Sequence, residues 1–205
     1  HADVRDLAVN SVHALARREF RDPYLRFVLW IVLATIPIGL AGLALAPVLN
    51  ACGSPLRGLS VIGWACIAMA VLLAAAERLA RHRRGAESIT FIDAMLVAIA
   101  QVGALIPGVS RSGSTLTAAL ALGFRREEAA RFSFLLGVPA VTLAGLKEIW
   151  ELHKAHLDAH GWSVLAVGLV VASVSAFAAI WGLMRILEGD SAWPVVVYRA
   201  RLGLF

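Results

Sequence analysis

Long apolar runs alternate along this chain with short polar joints rich in arginine. A helix that crosses a bilayer needs about 20 apolar residues, and four runs meet that length: 27–49, 59–79, 127–150 and 162–187. Pro37 and Pro139 fall inside the first and third and predict kinks there. The segment 91–123 departs from the pattern. Its two apolar stretches, 91–106 and 112–123, are each too short to cross, and they meet at the polar sequence PGVSRSGST, Pro107 to Thr115. Two short helices joined by such a turn predict a re-entrant hairpin that dips into the membrane and returns. Irregular backbone is tolerated at that depth only inside protein or against a water-filled cavity. Residues 1–26 show a loose amphipathic stripe ending in Arg17, Arg18, Arg21 and Arg26, which predicts a basic membrane edge. Residues 193–205 begin apolar but are too short to cross, so a partial or interfacial last helix is expected. The predicted fold is all-α: one polytopic helical membrane domain over 1–205 with a re-entrant helix-loop-helix hairpin.

Local signals sharpen these limits. Thr90 stands three residues before Asp93, a capping-box spacing that opens a helix. Pro107 ends that helix, and Gly123 ends the next. Glu127 and Glu128 suit the positive start of the helix that follows. Glu77 is expected to pair with the nearby Arg78, Arg81, Arg83 and Arg84 at the interface. Ser133 and Thr142 are expected to bond back within their own helix.

Composition agrees with a membrane protein. The chain has 205 residues, 60% of them hydrophobic and 16% charged, with a mean hydropathy of +0.77. The net charge of +5 comes largely from arginines at segment ends. No nucleic-acid motif accompanies it, so the basic ends are expected to mark cytoplasmic loops and to contact anionic headgroups, and nucleic acid is not an expected partner. If the hairpin re-enters, every main arginine cluster falls on one face, with Arg57 the minor exception. Threading the hairpin as a full crossing would place the clusters on opposite faces. Two sequences, TIPIGLAGL from Thr35 and GVPAVTLAGL from Gly137, echo each other weakly. Inverted repeats in membrane folds leave such traces, and chance between two apolar helices does so equally.

The polar turn carries the candidate chemistry. Gly108 and Gly113 let backbone approach a ligand without a Cβ in the way. Ser112 to Thr115 lie at a helix start, where unpaired N–H groups favour an anion. Arg111 offers a fixed charge and a planar fork suited to phosphate oxygens. Ser110, Ser112, Ser114 and Thr115 add hydroxyl donors, and Gln101 on the preceding helix is read either as lining the pocket or as a buried amide satisfied by its helix neighbours. A polar hairpin tip with serine caps and an arginine reaching for headgroups fits the same residues. His153, His156 and His160 have helical spacing, but a solvated loop is the expected reading, and no metal site is assigned. Cys52 and Cys66 are expected as free thiols.

At this point the sequence resembles a known family. PGVSRSGST, Ala100-Gln101, Ala104-Leu105-Ile106 and Ala130 to Pro139 are similar to the undecaprenyl-pyrophosphate phosphatase, or bacitracin-resistance, family. The likeness is specific over 91–145 and looser over 27–79 and the last span. It implies an inner-membrane enzyme that cleaves a C55 polyprenyl diphosphate to the monophosphate and inorganic phosphate, recycling a cell-wall lipid carrier. It implies half of an inverted-repeat fold, a homodimer, and an essential arginine at Arg111 flanked by Ser110 and Ser112. It also implies a magnesium or calcium ion whose carboxylate ligands sit on a second, glutamate-rich hairpin. That hairpin's motif is not found in these 205 residues, so the expectation is of a chain holding the phosphate-gripping half of the site. A transporter or flippase of an anionic lipid remains the alternative.

Overall fold

The computed structural model describes residues 13, 17, 22–49, 51, 54–154, 158–187 and 192–204. Arg18 and Arg21 of the expected basic edge, Cys52 and the side chains of His153, His156 and His160 therefore lie outside the described residues. Seven α-helices are described: α1 (Pro23–Leu49), α2 (Leu59–Leu79), α3 (Phe91–Val102), α4 (Arg111–Ala121), α5 (Arg126–Lys154), α6 (Ala159–Leu187) and α7 (Trp193–Leu204). The fold is all-helical, with no strand among the described residues. Helices α1, α2, α5 and α6 supply four segments long and apolar enough to span a membrane.

Local chemistry explains where the hairpin helices start and stop. The Thr90 hydroxyl accepts from the Asp93 N–H at 3.2 Å, and the Asp93 carboxylate accepts from the Thr90 N–H at 2.9 Å. This reciprocal cap opens α3. Ahead of Pro107, α3 tightens into a 3-10 turn at Gly103–Leu105. Helix α4 is followed by Gly123 at φ 86°, a left-handed conformation that glycine adopts without strain. Glu127 and Glu128 lie in the first turn of α5.

Small residues bring the helices together. Ala34, Ala94, Ala98, Ala119 and Ala129 are fully buried, and Leu73, Val97, Leu120, Phe124 and Leu136 fill the space between them. In lipid, close backbone approach supplies attraction that the hydrophobic effect no longer provides. The outer segments are different. Residues 141–150 are all exposed, and α6 buries none of its apolar window. Apolar surface on that scale suits contact with lipid.

Helix α7 lies along α2. At its start, the Ala192 N–H donates to Glu77 Oε1 at 3.1 Å, near the end of α2. At its other end, a Cβ on Gly203 would come within 2.7 Å of the Gly63 carbonyl oxygen. The two helices therefore run antiparallel at glycine-to-glycine distance. Residues 193–204 form a packed 12-residue helix.

Glu77 corrects an expectation. It is buried, at 6% exposure, and it turns to Arg126 at the start of α5, with Nε at 2.8 Å and Nη2 at 2.7 Å from Oε1. The arginines just after α2 are used differently. Arg78 lies over the Trp193 ring at 4.7 Å, Arg81 and Arg83 are exposed, and Arg84 goes to Asp93. The pairing follows which helix end packs beside α2, which nearness in sequence does not reveal.

Arg84 closes the base of the hairpin. Its guanidinium meets Asp93 with both nitrogens, Nη1 to Oδ1 at 2.9 Å and Nη2 to Oδ2 at 2.7 Å. It also donates to the Ser88 carbonyl at 2.8 Å and the Leu122 carbonyl at 3.2 Å, and it covers the Phe124 ring at 4.3 Å. The Arg83 and Arg84 N–H groups both donate to the Gly123 carbonyl at 3.0 Å. The first turn of α3 and the end of α4 are thus tied to one strap. Burial works against the charged form of Asp93, but the hydrogen bonds from Arg84 and Thr90 outweigh it and hold the carboxyl below its ordinary range. Arg84 is raised in turn, chiefly by its hydrogen bond to Asp93. From this base the hairpin runs the length of α2: at the tip, a Cβ on Gly108 would lie 2.5 Å from the Ile62 carbonyl oxygen.

Candidate functional site: the tip of the hairpin

The turn from Pro107 to Ser110 is held in an unusual backbone shape. Gly108 has φ 93°, and Ser110 has φ 63° and ψ 123°. Glycine tolerates the first. The second is strained for a residue with a Cβ and persists only where neighbours over-determine it. The main neighbour is Arg199 on α7. Its Nη2 donates to the Val109 carbonyl at 2.6 Å and the Gly108 carbonyl at 3.0 Å. The Cys66 thiol donates to the Gly108 carbonyl at 3.3 Å.

Arg199 was not among the candidates read from sequence. A signal was present, because a charge inside an apolar run of a membrane protein is a functional candidate by default. The short length of 193–205 hid it. Arg199 is only 7% exposed, and its Nε–H finds no acceptor among the described residues. Leaving a buried donor unmade costs roughly 1–3 kcal/mol, more when it is charged.

The start of α4 adds further donors. The Ser110 hydroxyl accepts from the Gly113 N–H at 3.3 Å, and the Ser114 N–H makes the first ladder bond, to the Ser110 carbonyl at 3.0 Å. The amides of Arg111 and Ser112 stand ahead of that ladder. Ser112 lies on a cavity of about 500 Å³ between α4, α5, α6 and α7. Its polar end is made by Ser110, Ser112, Gly113, Ser133 and Arg199. The remainder is apolar, with Leu116, Phe134 and Leu183 among its lining residues. None of the lining residues is Asp, Glu or His.

The structure separates the predicted residues into two groups. Ser110, Ser112 and Gly113 line the cavity. Arg111, between them, sends Nη1 to the Gly137 carbonyl at 2.7 Å. A Cβ at Gly137 would come within 2.7 Å of that guanidinium, so the glycine on α5 makes room for it. Gly108 packs against α2 and not on the cavity. Thr115 is fully buried, and its hydroxyl meets the Ser133 hydroxyl. Ser133 also donates to the Ser112 carbonyl at 3.3 Å, so it crosses to α4 where a bond within its own helix was expected. Thr142 does bond back, to the Val138 carbonyl at 2.8 Å. Gln101 is fully buried, does not line the cavity, and finds no partner for either amide atom among the described residues. Among the described residues, no group of three or more His, Cys, Asp or Glu is placed to hold a metal ion.

Four membrane-length helices, a hairpin strapped at its base, and a polar turn closing one end of an apolar cavity define a multi-pass helical membrane protein. The sequence matches the family model described as bacitracin resistance protein BacA over residues 1–205. The chain belongs to that family. It is 71% identical over 202 residues to undecaprenyl-diphosphatase 2 of Mesorhizobium japonicum, covering 98% of this chain and 76% of the relative. It is 41% identical over 203 residues to the undecaprenyl-diphosphatase of Trichormus variabilis, covering 98% of this chain and 63% of that protein. With the undecaprenyl-diphosphatase of Gloeobacter violaceus the identity is 44% over 203 residues, 99% of this chain and 70% of the relative.

Proposed function

We propose that the protein containing this chain hydrolyses undecaprenyl diphosphate to undecaprenyl phosphate and inorganic phosphate in the bacterial inner membrane. The observation that carries this reading is the 71% identity, across 98% of the chain, to a relative named for that activity. The chemistry of the tip supports it. Donors without acceptors, fixed positive charge and a close glycine are what a diphosphate needs, and an apolar cavity beside them suits a prenyl chain. Recycling of the lipid carrier for peptidoglycan, and the resistance to bacitracin in the family's description, follow from the same reaction.

In this reading residues 91–123 re-enter the membrane. The base, with Arg81, Arg83, Arg84 and Arg125, lies on the cytoplasmic face by the positive-inside rule, and the tip opens to the other. Arg111 clamps phosphate through the N–H groups not given to Gly137 and stabilises charge as the anhydride breaks. Ser110 and Ser112 donate to phosphate oxygens. Gly108 and Gly113 permit backbone approach, and Thr115 keeps Ser112 and Ser133 in register. The lining residues offer no carboxylate or imidazole, so activating the attacking water falls to groups outside this wall. Two arginines and a set of hydroxyls suit an anion and do not fit magnesium or calcium, which would need oxygen ligands from other residues. A homodimer is part of the proposal, and crosslinking in native membranes tests it.

Phosphate release from C55 prenyl diphosphate by the full-length protein in liposomes tests the reaction. Equal amounts of inorganic phosphate and prenyl monophosphate are expected. Movement of intact diphosphate across the bilayer with no phosphate released would show a transporter instead.

A further inference from the structure

The cavity beside the tip has two ends of opposite chemistry. At one, Arg199 lines the gap together with Ser110 and Ser112, while its Nε–H is sealed from that space and has no acceptor among the described residues. A Cβ at Gly113 would fall on Arg199 Nη1, so that end of the guanidinium points at the start of α4. At the other end, α6 contributes Ala178, Ala179 and Gly182. A side chain added at Gly182 would meet nothing within 4 Å, so this wall borders open space. Because α6 buries none of its apolar window, the cavity is a gap beside a wall helix and not a flaw in a packed core.

We infer that this gap is the substrate's seat, with Arg199 as a second headgroup ligand and the α6 wall at Gly182 as the contact for the first isoprene units. The inference rests on the proposed diphosphatase reading and deepens it. Three things favour a prenyl diphosphate here. Arg199 is a buried cation on the gap, and no carboxylate among the lining residues answers it. The same gap carries an apolar α6 wall, as the diphosphate carries an apolar chain. The volume of about 500 Å³ exceeds what a headgroup needs. Arg199 then has two tasks: Nη2 fixes the tip through the Gly108 and Val109 carbonyls, and Nη1, which stands over Gly113, donates to a phosphate oxygen.

The test uses the full-length protein in liposomes, with C55 and C15 prenyl diphosphates as substrates and inorganic pyrophosphate as a headgroup-only competitor. Gly182→Leu should raise KM for both prenyl substrates about tenfold through lost chain contact while leaving inhibition by pyrophosphate unchanged. Gly168→Leu is the control, since it lies on α6 away from the cavity and also meets nothing within 4 Å; its kinetics should be those of the wild type. Arg199→Met should weaken pyrophosphate and prenyl diphosphate alike by about tenfold or more. Arg199→Lys keeps the charge and a donor for the two carbonyls but has no second terminal nitrogen in the place of Nη1, and it should show the same loss at an unchanged melting temperature. Wild-type kinetics for Gly182→Leu would overturn the chain assignment. So would misfolding of Gly182→Leu alongside a well-folded Gly168→Leu, which would mean that protein fills the gap. Unchanged pyrophosphate inhibition in both Arg199 variants would overturn the headgroup assignment. Displacement of a non-hydrolysable prenyl diphosphonate reads the same arms without turnover. An enzyme that binds it but releases no phosphate would fail the reaction and leave the seat standing.

Discussion

The two ends of the hairpin are both polar and both built around arginine, yet they are finished differently. At the base, Arg84 spends its donors on Asp93, Ser88 and Leu122 and lies on Phe124. At the tip, Arg199 keeps a buried N–H without an acceptor, Ser110 holds a strained backbone angle, and the first amides of α4 precede their ladder. Buried polar groups are normally paired, and the exceptions mark places with another task. On the proposed function, the base is therefore a strap and the tip a receptor. The contrast teaches that an arginine within a membrane fold is read from its remaining donors more than from its depth.

The largest effect that would break this contrast concerns Arg111. Arg111→Ala should lower kcat/KM for prenyl diphosphate hydrolysis by about 100-fold or more, as loss of a fixed transition-state donor does, while costing about 1 kcal/mol or less in stability. Steady-state kinetics beside thermal unfolding checks both halves. Near-wild-type turnover would remove Arg111 from the site.

Next comes the strap. Arg84→Ala leaves Asp93 half-satisfied in a buried place and should cost about 2–4 kcal/mol, with the double variant Arg84→Met/Asp93→Leu recovering part of it. Denaturation of the full-length protein in mild detergent reads this. The pH dependence has a defined sign. Because the folded Asp93 carboxyl is held below its ordinary range, its contribution is complete above the unfolded value of about 3.9 and fades only as pH falls below it. The stability gap between wild type and Asp93→Asn should therefore stay flat from about pH 5 to 8 and shrink in stronger acid. A gap that closes near neutrality would contradict the strap.

Two smaller changes sharpen the tip. Ser133→Ala removes the crossing bonds to Ser112 and Thr115 and should cost about 1 kcal/mol, with a modest rise in KM. Ser110→Gly relieves the positive φ but gives up the helix cap. Stability should then change by less than about 1 kcal/mol while turnover falls, because a freed tip is a less organised one.

What the sequence reveals follows from which forces are local. The limits of α3 and α4 are legible because Thr90 and Asp93, Pro107 and Gly123 act on neighbours within a turn. The membrane-length helices are legible because their length and apolarity are set by the bilayer. The candidate site was half legible: Ser110, Ser112 and Gly113 do line the cavity, since they share one stretch of chain. Its remaining wall comes from far away. Ser133 meets Ser112 from 21 residues off, Arg126 meets Glu77 from 49, and Arg199 meets Val109 from 90. Such partners depend on which helix ends lie side by side, and no spacing rule within one segment encodes that.

The most direct test is a crossed one. A non-hydrolysable prenyl diphosphonate is added to the full-length wild type, Arg111→Ala and Arg84→Ala, and the shift in melting temperature is measured. Arg84→Ala should melt well below wild type and keep the ligand-induced shift, whereas Arg111→Ala should melt near wild type and lose it. The reverse pattern, with the shift lost at the base and kept at the tip, would contradict the division of the hairpin into strap and receptor.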